Sequence, residues 1–175
     1  MTPEGSDSPS PATCGHIGLQ VTDRMRRLLW KPFSNVPAEP ARFSFEDAKS
    51  EADSFQALRS YATALQPKGG TAIYSALDTA YALANEELAH DPDRVVTVVL
   101  LTDGENNRGL SYEDFRLRFE GPQANTSQVV RTFPILFGEA SSNELEEIAR
   151  LTGGRAFDGR HANLSSVFKE IRGYQ

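Results

Sequence analysis

The stretch Val95-Val96-Thr97-Val98-Val99-Leu100-Leu101-Thr102-Asp103-Gly104-Glu105-Asn106 decides the fold of this chain. From Val95 to Leu101 every residue except Thr97 is apolar and most are β-branched, which predicts a strand rather than a helix. Polar and apolar residues do not alternate, so both faces of the strand are expected to be covered, as in a parallel sheet between layers of helices. Asp103 would then follow the strand at its carboxyl end, where open α/β sheets bind their ligands.

Length and composition narrow the class of protein. The chain has 175 residues, a net charge of -6 and a single cysteine. The length suits one domain, the acidic balance argues against a nucleic-acid partner, and one cysteine excludes an internal disulfide. The sequence predicts no membrane span and no signal peptide, so it predicts a cytoplasmic chain as it stands. If an N-terminal part is missing, we expect an exported or membrane-associated protein instead.

The pattern along the chain predicts two regions. Residues 1–23 are expected to be disordered or poorly ordered, with the end of a helix near Ile17 to Val21. Residues 24–175 are expected to form the folded domain. It would begin with a strand over Met25 to Phe33 and a short edge strand over Arg42 to Phe45. From Arg94 onward strands alternate with helices, which predicts β-α-β units.

Helical periodicity and capping patterns predict five helices. The first would be capped by Ser50 and the second would begin at Thr71. Further capping patterns begin at Ser111 and at Ser141, where Ser141-Ser142-Asn143-Glu144 is a capping box, and Gly153 is in a C-cap position. Loops are predicted over the Pro-rich Ser34 to Pro40, the polar Glu105 to Gly109, and Gly121 to Ser127. The expected apolar faces are Phe55, Leu58, Ala62 and Leu65 in the first helix, Ile73, Leu77, Ala80, Ala84 and Leu88 in the second, Phe115 and Phe119 in the third, Leu145, Ile148 and Ala149 in the fourth, and Leu164, Val167, Phe168 and Ile171 in the last.

Two motifs together resemble the von Willebrand factor type A (VWA) domain, in particular its bacterial members. They are Gly69-Gly70-Thr71-Ala72-Ile73-Tyr74-Ser75-Ala76-Leu77 and Leu101-Thr102-Asp103-Gly104-Glu105-Asn106. Lys31-Pro32-Phe33-Ser34 is similar to the end of the family's second strand, and the resemblance extends over Arg24 to Gln175. It implies an α/β fold with a doubly wound, mostly parallel sheet flanked by helices, which is a VWA/Rossmann-like architecture.

The resemblance also implies a function. In this family both motifs lie at a metal-ion-dependent adhesion site, where Thr71 would offer a hydroxyl and Asp103 a carboxylate to Mg²⁺ or Mn²⁺. An open coordination position would accept an acidic side chain from a protein partner, without catalysis. Residues expected near the partner are Ser34, Gly70, Glu105 and Asn106.

One departure from the family bears on both fold and site. The family's first strand ends in Asp-x-Ser-x-Ser, which supplies most of the metal ligands, and this motif is not found here. The nearest string, Asp7-Ser8-Pro9-Ser10, has the wrong spacing. We therefore expect the sheet to lack its first, central strand and the cation to bind weakly or not at all. The chain is then a fragment, receives a strand from another chain, or fills the gap with residues near Ile17 to Val21.

Plainer interpretations of the same residues remain open. Thr71 suits a helix N-cap, and Asp103-Gly104 suits an ordinary turn. A truncated or degenerate VWA fragment without metal-dependent binding is the main alternative function. A hydrolase that uses Asp103 as ligand or nucleophile is less favoured, because no second acid, His or Lys is placed by a recognisable motif.

Overall fold

The computed structural model describes residues 15–22, 26–35, 39–45, 47–64, 69–123, 129–138 and 140–174. In chain order their elements are β1 Gly15–Thr22, β2 Arg26–Phe33, β3 Ala41–Phe45, α1 Ala48–Ala64, α2 Ile73–His90, β4 Val95–Thr102, α3 Tyr112–Gln123, β5 Arg131–Leu136, α4 Ser142–Thr152, β6 Phe157–Asp158 and α5 Leu164–Gly173. The strands form one sheet in the order β3-β2-β1-β4-β5-β6.

β4 lies inside the sheet and is covered on both faces, as its apolar run predicts. Val98 and Leu100 have no exposed surface and pack with residues of α2, α3 and α4. Val99 lies in a second cluster that includes Phe133 and two residues of α5. Because successive side chains of a strand point to opposite faces, these two clusters are the two sides of the sheet. β4, β5 and β6 are parallel, which confirms the predicted α/β fold.

α2 is the most deeply buried helix of the described chain. Its predicted apolar face is confirmed, with Ile73, Leu77, Ala80 and Ala84 all completely buried. Leu88 packs against the same cluster but is only partly buried. Small residues on this face let the helix lie close to the sheet, and burial of this apolar area stabilises the pairing of α2 with the strands.

The predicted gap in the middle of the sheet is wrong, because β1 lies between β2 and β4. Of the three alternatives, the one in which residues near Ile17 to Val21 fill this position is confirmed. β1 is antiparallel to both neighbours, and Leu19 pairs with Leu29 on one side and Val98 on the other. The expected helix end near Ile17 to Val21 is wrong for the same reason. Apolar residues recur there at every second position, which is the period of a strand, and pairing on both sides satisfies backbone groups that an empty position would leave unpaired.

Three consequences follow for the predicted domain organisation. The folded part includes residues 15–22, so it begins before residue 24. Residues 1–14 lie outside the described residues, and their predicted disorder stays a prediction. A strand from the same chain fills the central position, so this structure requires no donated strand.

α1 differs from its prediction in its cap and in its burial. The helix begins at Ala48 and the capping side chain is Asp47, whose Oδ1 accepts the backbone N–H groups of Lys49 and Ser50 at 2.9 and 2.8 Å. Phe55, on the predicted apolar face, is 56% exposed, although its ring contacts Phe45 of β3. Periodicity identifies an apolar face, but whether another element covers that face is decided by the topology.

The remaining helices agree more closely with the sequence. Ser141 caps α4, and Gly153 ends it in a left-handed conformation with φ 69°. Val167 and Ile171 of α5 are buried, whereas Leu164 and Phe168 are each 38% exposed. α3 extends to Gln123, beyond the loop predicted to begin at Gly121. Within the described residues, no helix combines the length and the apolar character that crossing a membrane requires.

Candidate functional site

The carboxyl ends of β2 and β4 meet at one edge of the sheet. Each of these strands is antiparallel to β1 between them, so they run in the same direction. Ser34 follows β2 and Asp103 follows β4, which places the ends of two predicted motifs at the same edge. We call the loops at this edge, residues 34–35, 69–72 and 103–110, the binding edge. It is the position at which open α/β sheets bind ligands.

Residues 34–35 hold the loop that precedes α2. The Ala72 N–H donates to the Ser34 carbonyl oxygen at 2.9 Å. The Gly70 N–H donates to the side-chain oxygen of Asn35 at 2.6 Å. Ser34 and Gly70, which the sequence placed near a partner, therefore lie in two loops that these hydrogen bonds hold together.

Thr71 is fixed from the other side by the loop after β4. Its N–H donates to Asn107 Oδ1 at 2.8 Å, and its carbonyl oxygen accepts the N–H groups of Asn107 at 2.9 Å and Arg108 at 3.2 Å. Thr71 is completely buried. It precedes α2 by two residues, and Ala72 is the N-cap position. The interpretation of Thr71 as the N-cap residue is therefore wrong, since its backbone is already held by another loop.

Asn106 connects the same loop to α2 and α4. Its backbone N–H donates to Glu144 Oε2 at 3.2 Å, and its side-chain oxygen accepts the Tyr74 N–H at 3.4 Å. Its amide nitrogen donates to the Leu110 carbonyl oxygen at 3.1 Å. Asn106 therefore holds the loop in place through its backbone and its side chain, whereas Glu105 beside it is exposed.

Asp103 carries a buried polar atom that the rest of the described chain does not satisfy. Among the described residues, its Oδ1 has no hydrogen-bond partner. A Cβ on Gly138 would lie 3.1 Å from both Cβ and the carbonyl oxygen of Asp103, so the loop after β5 packs directly against this residue. A buried carboxylate oxygen without a donor is costly unless a cation or a water satisfies it.

The unsatisfied Oδ1 of Asp103 raises the question of whether the side chains around it suit a divalent cation. Mg²⁺ and Mn²⁺ prefer oxygen ligands, and Mg²⁺ keeps several waters, so the Asp103 carboxylate and the Thr71 hydroxyl are of the chemical type that such an ion takes as ligands. They do not complete a protein shell: among the described residues no group of three or more His, Cys, Asp and Glu side chains is suited to a metal. Asp7-Ser8-Pro9-Ser10 lies outside the described residues. A bound cation would supply positive charge for an acidic ligand.

Tyr74 and Glu144 form an ionisable pair beside the binding edge. Burial raises the pKa of the Tyr74 phenol, and the hydrogen bond to Glu144 and the charges of Glu144 and Glu147 raise it further. Tyr74 therefore keeps its phenolic proton near neutral pH. Other groups that hold this edge are side-chain amides, the hydroxyls of Thr102 and Ser75, and backbone groups, which do not change protonation near neutral pH.

Sequence reasoning missed four residues that build the edge: Asn35, Asn107, Gly138 and Glu144. Asn107 was treated as part of a polar loop and Asn35 as part of a Pro-rich one. The available signal was weak and general: the side-chain oxygen of a loop Asn often accepts backbone N–H groups. Glu144 was assigned to a capping box with Ser141, yet its carboxylate accepts the N–H of Asn106 instead.

Comparisons with known proteins place the chain in a family. The family model for the von Willebrand factor type A domain matches residues 33–170. The matched part begins at the last residue of β2, so it includes both motifs of the binding edge and excludes β1. No curated protein matches the chain. Since the family model covers most of the sequence and the fold has its predicted α/β architecture, the chain belongs to the von Willebrand factor type A domain family.

Proposed function

We propose that this chain is a non-enzymatic protein-binding module that contacts its partner through the binding edge. VWA domains are generally interaction modules, and the family match over residues 33–170 supports this class of function. The loops at the edge are tied to one another because the side-chain oxygens of Asn35 and Asn107 accept the backbone N–H groups of Gly70 and Thr71. A preorganised surface of this kind loses little conformational entropy when a partner binds.

The finer part of the proposal is that a divalent cation, Mg²⁺ or Mn²⁺, bridges the edge to an acidic side chain of the partner. The single observation that carries it is the unsatisfied, buried Oδ1 of Asp103 at the carboxyl end of β4. Thr71 would contribute its hydroxyl, and water would fill much of the remaining shell. With one carboxylate among the proposed ligands, we expect weak affinity for the cation, because site charge and ligand number set affinity.

Isothermal titration calorimetry with Mn²⁺ and Mg²⁺ tests the cation. The wild type is expected to give a binding heat that Asp103→Asn removes, since the amide keeps the shape of the side chain but not its charge. Asp93→Asn is the matched control, because Asp93 is an exposed acid in the turn before β4. Its heat should equal that of the wild type. No heat in the wild type, or equal heat in Asp103→Asn, contradicts the cation-dependent mechanism.

A second candidate is a VWA domain that has lost metal-dependent binding. The observation that favours it is the lack of a three-ligand cluster within the described residues. The orientation of the central strand β1 also favours this candidate, because the antiparallel β1 begins, rather than ends, at the binding edge. This candidate predicts that a captured partner stays bound in excess EDTA. Release by EDTA and recovery with Mn²⁺ would exclude it.

A further inference from the structure

Glu144 is the acidic side chain that connects the binding edge to α4. It lies in the first turn of that helix and is half-buried. Its backbone N–H donates to Ser141 Oγ at 3.5 Å, as expected for a capped helix. Its carboxylate, however, leaves the helix and accepts the N–H of Asn106 at 3.2 Å. The side chain therefore contributes to the loop after β4 rather than to its own helix end.

A second contact shows that this arrangement spans three elements. The Tyr74 phenol, in the first turn of α2, lies close enough to the Glu144 carboxylate for that group to raise its pKa, and Tyr74 is only 5% exposed. The Tyr74 N–H also donates to the side-chain oxygen of Asn106. Glu144, Tyr74 and Asn106 thus form a closed set of contacts between α4, α2 and the loop that begins at Asp103.

Asn107 connects these contacts to the proposed ligands Thr71 and Asp103. Asn107 follows Asn106 and holds Thr71 through two hydrogen bonds, one in each direction. Asp103 precedes Asn106 by three residues in the same loop. A shift of Asn106 would therefore change the position of Thr71 relative to Asp103, although Glu144 itself is not among the proposed ligands.

We propose that Glu144 is a positioning residue of the binding edge, whose carboxylate fixes the loop of residues 103–107 so that Asp103 and Thr71 are presented together. This inference rests on the proposed function for its consequence, which is cation affinity. The structural part of the inference is that the Glu144 carboxylate holds the loop, and this part does not depend on any cation. The role requires an acceptor at the right distance, and it does not require the negative charge.

Two substitutions of Glu144 distinguish the effect of side-chain length from the effect of charge. Glu144→Gln keeps the length of the side chain and an oxygen acceptor for the Asn106 N–H, but removes the charge. Glu144→Asp keeps the charge and remains suitable for the first turn of a helix, but is shorter by one methylene. Positioning predicts that Gln behaves as the wild type and that Asp does not. A purely electrostatic role predicts the reverse.

The first readout is hydrogen exchange of the Asn106, Asn107 and Thr71 amides in the cation-free protein. We expect Glu144→Asp to accelerate exchange at these amides at least about tenfold, because a part-buried donor loses its partner. Glu144→Gln should stay within about threefold of the wild type. Glu146, exposed on the same helix, provides the control: Glu146→Asp and Glu146→Gln should leave exchange at these amides unchanged.

The second readout is Mn²⁺ affinity by calorimetry on the same variants, which should follow the same order. Equal exchange in Glu144→Asp and the wild type, or equal effects of Gln and Asp, would overturn the positioning role. If Asp103→Asn removes the Mn²⁺ heat while Glu144→Asp leaves exchange unchanged, the proposed function stands and this inference fails. If the wild type binds no Mn²⁺, cation binding fails, and the amide exchange alone still decides the role of Glu144.

Discussion

Gly138 offers the sharpest test of how the loop after β5 supports Asp103. The residue adopts a left-handed conformation with φ 54°, which side chains with a Cβ rarely adopt. A Cβ at this position would also lie 3.1 Å from the Cβ and from the carbonyl oxygen of Asp103. Gly138→Ala therefore combines a backbone penalty with a steric conflict against the end of β4.

The two contributions are separable in magnitude. The left-handed backbone costs an alanine about 1–2 kcal/mol, of which the reduced freedom of the unfolded chain offsets about 0.4–1 kcal/mol. Close contact with a main-chain atom adds about 1–3 kcal/mol, because neither partner can rotate away. We expect Gly138→Ala to lower the free energy of unfolding by about 2–4 kcal/mol. For a domain of this size the melting temperature should then fall by roughly 4–16 °C.

Two other glycines provide matched controls for this measurement. Gly153 has φ 69°, but its Cβ would meet only Val129 Cγ1 at 3.8 Å, an ordinary contact. Gly153→Ala should therefore cost only the backbone contribution, about 1 kcal/mol. Gly173, at the end of α5, has open space around it, and Gly173→Ala should be neutral within about 0.5 kcal/mol.

The assay is urea denaturation of the three variants, with thermal melting in parallel. We expect the order Gly173→Ala, Gly153→Ala and Gly138→Ala from least to most destabilised. If Gly138→Ala and Gly153→Ala lose the same stability, the contact with Asp103 contributes nothing and the steric argument is refuted. In that case the tight packing against Asp103 could not be used to explain the position of its carboxylate.

Two further predictions concern stability away from the edge. Tyr81→Phe should cost about 1–3 kcal/mol in urea denaturation, because the buried Tyr81 hydroxyl bonds Thr132 Oγ1 at 2.6 Å and the Val130 carbonyl oxygen at 3.2 Å. Tyr61→Phe, on α1, is the control, and an equal loss there would contradict this account. Hydrogen bonds from Ser50 and Lys49 lower the pKa of Asp47 in the folded chain below its ordinary 3.8. The ionised Asp47 therefore contributes fully to stability above pH 3.8, and this contribution is lost as the pH falls through the lower pKa of the folded state. Between pH 5 and pH 2, the melting temperature of Asp47→Asn should therefore fall less than that of the wild type, which thermal melts across this range would measure. An equal fall in the two proteins would refute the role of Asp47.

Much of the fold was predictable because its strongest signals are local. The apolar run of β4 and the helical faces of α2 and α4 are encoded by spacing alone, and burial confirms them. The cap of α1 was misassigned by three residues, because Asp47 and Ser50 both accept backbone N–H groups and the sequence does not show which is used. The exposure of Phe55 was not predictable, since it depends on which element lies opposite.

The binding edge was only partly predictable for a related reason. Thr71 and Asp103 stand out as motif residues, and their role as cation ligands remains a prediction. Asn35, Asn107 and Glu144 act across 35 or more residues of sequence, through hydrogen bonds that form only when the loops meet. No local pattern records such a partner. The assignment of Glu144 to its own helix cap is the natural local interpretation, and a more distant donor overrides it.

The sequence by itself determined that this is an α/β domain with a buried parallel strand ending in Asp103 and with the motifs of the VWA family. Only the tertiary structure decided what lies beside that strand. The segment from Gly15 to Thr22 has a weak apolar alternation that did not identify it as a central strand, yet two long neighbours offer it backbone partners on both sides. Pairing between distant segments compensates for weak local preference, because each unpaired backbone group in a sheet interior costs more than the preference of any one residue.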